Sequence, residues 1–286
     1  MAGGVRKAIA AGELYPYDPL ELEKIIKNCF IHSEGPGKLP DYVPNGPISC
    51  IIVPHGQISH FGPIAAHSYS RIVGTEIDSV ILVGPCQKNS QMLSIYPNGY
   101  WETPLGSVEV DNEICTKIAA DLSEAKLDAE PHLQESSIEV QIPFLQQVLK
   151  NKFKIVPICI SQYEPELCDR LSRVISKVTV EKRVLVVGIS NLTQNQIYAQ
   201  ALRKDALVFD RLAKPITTDM TKLHELMKQK DIQVSGYGPL AVLIGVAKEL
   251  TANKVEVTKY GTSGQTTGDY SSVTGYCTFA YARSQS

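Results

Sequence analysis

The sequence predicts an α/β fold, a central parallel or mixed sheet with helices on both faces, and three observations carry that prediction. Short apolar runs recur between Gly, Pro and Asn: ISCIIVP (48–54), SVILVGP (79–85), FKIVPICI (153–160) and RVLVVGIS (183–190). A run that is apolar at nearly every position is a strand buried on both faces. Segments with helical spacing lie between and after these runs, which is the alternation that covers a sheet with helices. At 286 residues, with 43% hydrophobic and 20% charged side chains, the chain can bury a sizeable core and is too apolar for disorder.

Taken in order, a first helix spans 19–30 and gives way to SEGPGKLPDYVPNGP (33–47), a surface loop rich in turn residues. Helical spacing follows at 63–72, 112–122, 138–149, 165–176, 199–212, 220–228 and 239–250. QMLSIYP (91–97), VEVTKYG (255–261) and SVTGYCTFAYA (272–282) have strand composition and make the sheet mixed. No internal repeat, low-complexity tract or Pro/Ser/Gly linker divides the chain, so residues 1–286 form one domain on this reading.

Composition excludes several classes of function. Lys+Arg 28 against Asp+Glu 30 gives a formal charge of −2, and no basic run tracks a phosphate backbone, so nucleic acid is not the expected partner. The longest apolar segment, 240–247, is too short to span a bilayer, and the N-terminus lacks a signal-like apolar stretch. Seven cysteines, an odd number with no CxxC pair, favour a reducing compartment. The expectation is a cytoplasmic protein that engages no membrane.

In α/β sheets ligands gather at the carboxyl ends of the strands. Those ends carry Pro54-His55-Gly56, then Gly84-Pro85-Cys86-Gln87-Lys88, then Ser190-Asn191-Leu192-Thr193-Gln194, with Ser235-Gly236-Tyr237-Gly238-Pro239 opening a late helix. His55 belongs in the pocket because a strand-end His-Gly is poorly placed for core packing. SIEVQIPFL (137–145) opens a helix with Ser at its cap. Its Glu139 either points into the cleft or serves the helix dipole. Cys86, beside Lys88, is either a nucleophile with His55 as its base or an inert thiol in a turn. Cys50, Cys159 and Cys277 are read as small buried hydrophobes. His67 and His132 are read as hydrogen-bonded structural residues, and His32 and His224 as solvated ones. TSGQTTGDY lacks the Lys-Ser/Thr ending of a P-loop. It is read as a turn-rich border of the cleft, held by Asp269 and Tyr270, with Thr266 and Thr267 near a ligand.

AGELYP (11–16), GPGKLP (35–40), PHG with GPIAAHSY (54–56 and 62–69), VGPCQ (83–87), YWETPLGSVEVD (100–111), SIEVQIPFLQ (137–146), SGYGPLAV (235–242) and TSGQTTGDYSSVTGY (262–276) occur in this order. Together they resemble the Memo family, its archaeal branch in particular. The resemblance implies a fold similar to class III extradiol dioxygenases, with a metal-binding pocket at the strand ends. The family's histidine after the first strand is His55. Its second histidine, in the GPxH turn, falls on Gln87, the EHSIE histidine on Ser136, the SSDxxH aspartate and closing histidine on Asn191 and Gln194, and the cysteine before GYGP on Ser235.

The five replacements are neutral hydrogen-bonding side chains, and a tight transition-metal site needs three or four imidazole, thiolate or carboxylate ligands. The resemblance therefore implies a degenerate metal site, with no stoichiometric metal and no cofactor. The expected function is that of a pseudoenzyme, binding a small polar molecule or a protein partner in a cleft formed by His55, Gln87, Ser136, Glu139, Asn191, Gln194 and Ser235. The rival is an enzyme of altered chemistry, using Cys86 with His55 or a residual metal.

Overall fold

The computed structural model describes residues 4–40, 48–86 and 92–283. β1 (Val5–Arg6) precedes α1 (Pro19–Ile31), whose start follows from Asp18, which accepts the Glu21 N–H at 2.9 Å, and from proline at the first helical position. β2 (Ile48–Val53) leads to α2 (Ile58–Tyr69), and β3 (Ser79–Pro85) is buried along its whole length. β4 (Leu93–Ile95), the hairpin β5 (Tyr100–Thr103) and β6 (Gly106–Glu109), α3 (Asn112–Asp121) and β7 (Ala125–Leu127) follow. Then come α4 (Ile142–Val148), β8 (Lys154–Ile160), α5 (Pro165–Glu181), β9 (Val184–Ile189) and α6 (Tyr198–Leu212). The chain finishes with α7 (Met220–Gln229), α8 (Tyr237–Glu249), β10 (Lys254–Thr262), α9 (Ser263–Thr267) and β11 (Gly275–Ala282).

Among the described residues eight strands form one sheet in the order β10-β11-β2-β9-β3-β8-β4-β7, and β1-β5-β6 form a second, smaller sheet. β2, β9, β3 and β8 are mutually parallel, so the four apolar runs occupy the centre and their carboxyl ends share one edge. β11 joins β2, and β10 joins β11, in antiparallel register, which makes the sheet mixed.

Neighbouring residues show that both faces are covered. On β10 the hydroxyl of Tyr260 reaches Asp205 of α6, while a Cβ on the next residue, Gly261, would meet Ile64 of α2. Successive strand residues face opposite sides, so α2 and α6 lie on opposite faces. α8 packs with α6's side of the sheet on the parallel strands. Gly188 of β9 lets Leu243 of α8 approach, and Gly245 leaves room for Ser172 of α5, which lies against α8. α8 is apolar nearly all round because it is enclosed. Leu240, Leu243, Ile244 and Val246 are each fully buried, a contribution of roughly 1.5–3 kcal/mol per side chain. Among the described residues no helix is long and apolar enough to cross a membrane.

Three sequence expectations need correction. The helix expected at 63–72 starts at Ile58, whose N–H bonds the Leu14 carbonyl at 3.0 Å, and Pro63 lies inside it. Tertiary anchoring of the first turn outweighs the bond that proline removes. The helix expected at 138–149 is a 3-10 turn, Glu139–Gln141, followed by α4, which Pro143 starts afresh. Among the described residues the buried Ser137 hydroxyl has no hydrogen-bond partner, so it caps nothing there. The 262–276 segment contains a short capped helix, with Thr262 and Gln265 bonded reciprocally, and the Thr266 and Thr267 hydroxyls are both turned back onto the Ser263 carbonyl. Of the loop read at 33–47, residues 41–47 lie outside the described residues.

Candidate functional site

The shared edge of β2, β9, β3 and β8 is where the candidate residues meet. β2 is followed by Pro54 and His55, and β9 by Ser190 and Asn191. The strand pairing stops at Val53 with Ile189, but the Asn191 amide prolongs it. Its Oδ1 accepts the His55 N–H at 2.9 Å and its Nδ2 donates to the His55 carbonyl at 3.1 Å. Asn191 is 3% exposed, and both ends of its amide are engaged by this one backbone.

Ser235 is the third member. Its carbonyl accepts the Asn191 N–H at 3.0 Å and the Ser190 hydroxyl at 2.5 Å, while its own Oγ lies 3.4 Å from His55 Nε2. Gly236 then turns the chain into α8 with a φ of 86°, and a Cβ there would lie 2.7 Å from the Ile189 carbonyl oxygen. Only glycine meets both demands. His55 is half-buried, and desolvation of its ring pushes its pKa down to about 4, so at neutral pH it is an uncharged imidazole.

A cleft of about 530 Å³ opens beside this cluster. Ser235, Gln194 and Cys86 contribute to its lining. Thr193 and Gln194 are held by a buried anchor behind them: the Asp205 carboxylate accepts the Thr193 N–H at 2.9 Å and the Tyr260 hydroxyl at 2.8 Å. Asp205 is completely buried, and that burial raises its pKa.

Several predicted residues do not line the cleft, His55 and Asn191 among them. Glu139 is fully buried, and its carboxylate is taken up by the N-terminal segment. Arg6 Nη1 donates at 2.5 Å, the Ala10 and Ile9 N–H groups at 2.8 and 3.2 Å, and the Tyr15 hydroxyl at 2.5 Å. Arg6 is in turn bonded to the His132 and Glu135 carbonyls and lies over the Trp101 ring at 4.0 Å. Glu139 thus ties β1 to the sheet, which is neither of the two roles expected for it. Ser136 is half-buried on the segment that crosses the ends of β2 and β3, where the following Gln141 reaches the Pro54 carbonyl at 3.0 Å. It does not line the cleft. Gln87 lies outside the described residues.

The other cysteines and histidines divide clearly. All seven cysteines are buried. Burial raises the thiols of Cys29 and Cys168 to about 12 and pushes those of Cys50, Cys159 and Cys277 up as well. The Cys86 thiol donates to the Pro131 carbonyl at 3.5 Å. His67 bonds the Glu34 carbonyl at 3.0 Å; His132 lies between Ser94 Oγ at 3.1 Å and Cys159 Sγ at 3.4 Å. His32 accepts the Glu34 N–H at 3.0 Å on its Nδ1. His224 departs from expectation. It stacks on Tyr237, meets the Tyr163 ring edge-on, and forms part of the cleft wall.

Sequence reasoning missed this wall. Ser161, Gln162 and Tyr163 follow the third apolar run, so the strand-end rule that picked out the other loops applied to them equally. His224 carried no such signal, because its helix is distant in sequence and has exposed faces. Among the described residues, no group of three or more His, Cys, Asp and Glu side chains gathers as a metal site requires.

A family model described as "Memo-like protein" matches residues 6–280. A MEMO1 family protein of Methanopyrus kandleri is 34% identical over 285 residues, covering 97% of this chain and 99% of that protein. MEMO1 family proteins of Sulfolobus acidocaldarius and Methanobrevibacter smithii are each 36% identical, over 280 and 279 residues, covering 95% of this chain and 97% and 98% of theirs.

Proposed function

From the premise that this chain belongs to the Memo family, we propose that its strand-end cleft binds a small polar molecule and performs no transition-metal chemistry. One observation carries the reading. The groups at the positions where the resemblance places metal ligands are neutral, and two of them are already engaged: Asn191 with the His55 backbone, and Ser235 Oγ within 3.4 Å of His55 Nε2. A single neutral imidazole beside hydroxyl and amide groups does not fit zinc, copper or ferrous iron, which take three or four nitrogen, sulfur or carboxylate donors. Glu139 offers no substitute, since four donors occupy it.

The cleft's shape favours a small molecule over a protein partner. Its volume of about 530 Å³ falls in the range of ligand pockets, and it is concave. The thiol alternative draws less support. Cys86 is 3% exposed and directs its hydrogen at a main-chain carbonyl, and an imidazole held near a pKa of 4 is a weak base at neutral pH.

A fragment library screened against the isotopically labelled protein tests this reading. Saturable shifts at Ser235, Gln194 and Tyr163, undiminished by a chelator, are expected. Fragment binding that occurs only with added metal would overturn it.

A further inference from the structure

The cleft wall carries chemistry that the motifs do not account for. It is built from the 161–163 loop after β8, the 193–196 loop after β9 and the 224–237 stretch joining α7 to α8. We propose that this wall receives an uncharged nucleoside, with side-chain amides reading the edge of the base and the Tyr163–His224 surface packing against it. The proposal rests on the binding-cleft reading and names its ligand class.

Two features point to a planar heterocycle. Gln162, Gln194 and Gln233 line the cleft, and among the described residues their side-chain amides make no hydrogen bond. A free amide presents a donor and an acceptor side by side, the complement of the adjacent C=O and N–H groups on a base edge. The second feature is a fixed aromatic cluster. The Tyr163 and His224 rings meet edge-on with centroids 4.6 Å apart, and His224 stacks on Tyr237 at 5.0 Å with an interplanar angle of 22°. Tyr237 is pinned by its hydroxyl to the Met220 carbonyl at 2.5 Å, and the Tyr163 hydroxyl lies 3.3 Å from that of Thr221. Rings already held in place lose little freedom when a base packs on them.

Charge separates a nucleoside from a nucleotide. Lys204, the cation of the described lining, donates to the Asp231 carbonyl at 2.5 Å and lies 3.5 Å from its carboxylate. It is thereby compensated and offers a phosphate little. Burial also lowers the pKa of His224, with Lys228 adding to the effect, so that ring packs as a neutral imidazole at neutral pH.

The test is titration of the full-length, isotopically labelled protein with adenosine, guanosine, cytidine and uridine, alongside their 5′-monophosphates, ribose and methyl glucoside. At least one nucleoside is expected to bind saturably, no more weakly than its monophosphate. Gln194→Leu and Tyr163→Ala should each weaken it about tenfold, in variants whose thermal melts match the wild type. Gln194→Leu serves alone if Tyr163→Ala fails to fold. A monophosphate that binds tenfold more tightly, a sugar that binds as well as the nucleoside, or the absence of binding by all four nucleosides would each overturn the assignment. The fragment screen separates the two levels. Fragments seated in the cleft while all nucleosides fail would remove the nucleoside alone; failure of both would remove the binding cleft as well.

Discussion

The side-chain amide of Asn191 closes a two-point pair with the main chain of His55, accepting its N–H at 2.9 Å and donating to its carbonyl oxygen at 3.1 Å. This pair extends the junction of β2 and β9 past the strand ends. It fixes where the His55 ring emerges.

Asn191→Ala should therefore destabilise the fold by about 2–4 kcal/mol, since it removes two hydrogen bonds and strands buried polar groups. Asn191→Asp keeps the acceptor for the N–H but sets a carboxylate against the His55 carbonyl. Its proton, when present, restores a donor, so the folded state raises its pKa. The stability of this variant relative to wild type should recover as pH falls and be lost as pH rises. Urea melts at several pH values read this directly.

Arg6 and Glu139 form a buried ion pair whose partners are unequally supported. Without Glu139, Arg6 remains a buried cation, and the Ile9 and Ala10 N–H groups and the Tyr15 hydroxyl lose their acceptor. Without Arg6, Glu139 keeps three donors. Glu139→Ala should cost roughly 3–5 kcal/mol and Arg6→Ala less, measured by chemical denaturation. Equal costs would contradict this account of the N-terminal segment.

The pH dependence of stability should carry a histidine signature. Burial lowers His132 to about 3 and His55 to about 4, against about 6.5 in an unfolded chain. The unfolded state then binds protons that the folded state refuses. Their contribution is whole above about pH 6.5 and is lost as pH falls toward those lower values. The carboxyls of buried Asp205 and half-buried Glu135, raised by desolvation, act in the opposite sense, so the comparison is between wild type and His132→Gln. The variant should lose stability less steeply between pH 7 and pH 4.

Gly275 is required by contact with an anchor of the cleft. A Cβ there would lie 1.9 Å from Asp205 Oδ2, so Gly275→Ala must displace the carboxylate that holds the Thr193 N–H. A loss of more than about 2 kcal/mol should accompany shifts at Thr193 and Gln194 in amide spectra. A variant of wild-type stability with unshifted resonances would contradict the anchor's role.

Much of this architecture was legible in the sequence, for a physical reason. The four central strands are apolar at nearly every position because both faces are covered, and their boundaries fell within a residue or two of those observed. The hairpin of β5 and β6 was legible only as a motif, because only three of its eight strand residues are buried and Trp101 is buried by Arg6 and His132 rather than by a sheet face. Pro63 and Pro143 misled in opposite ways, one continuing a helix that tertiary contacts hold and the other splitting one. At the site, strand ends identified His55, Asn191 and Ser235 as neighbours. Glu139 escaped because its partners come from more than a hundred residues away, and His224 because an exposed helix gives no sign of what one of its faces meets.

The central claim, a family member whose cleft works without a transition metal, is tested most directly by elemental analysis of the purified protein with competitive Zn(II), Cu(I) and Fe(II) titrations of wild type and His55→Ala. The account predicts substoichiometric metal in the purified protein and weak titrations that the substitution leaves unchanged. One metal per chain, held with sub-micromolar affinity and lost in His55→Ala, would contradict it.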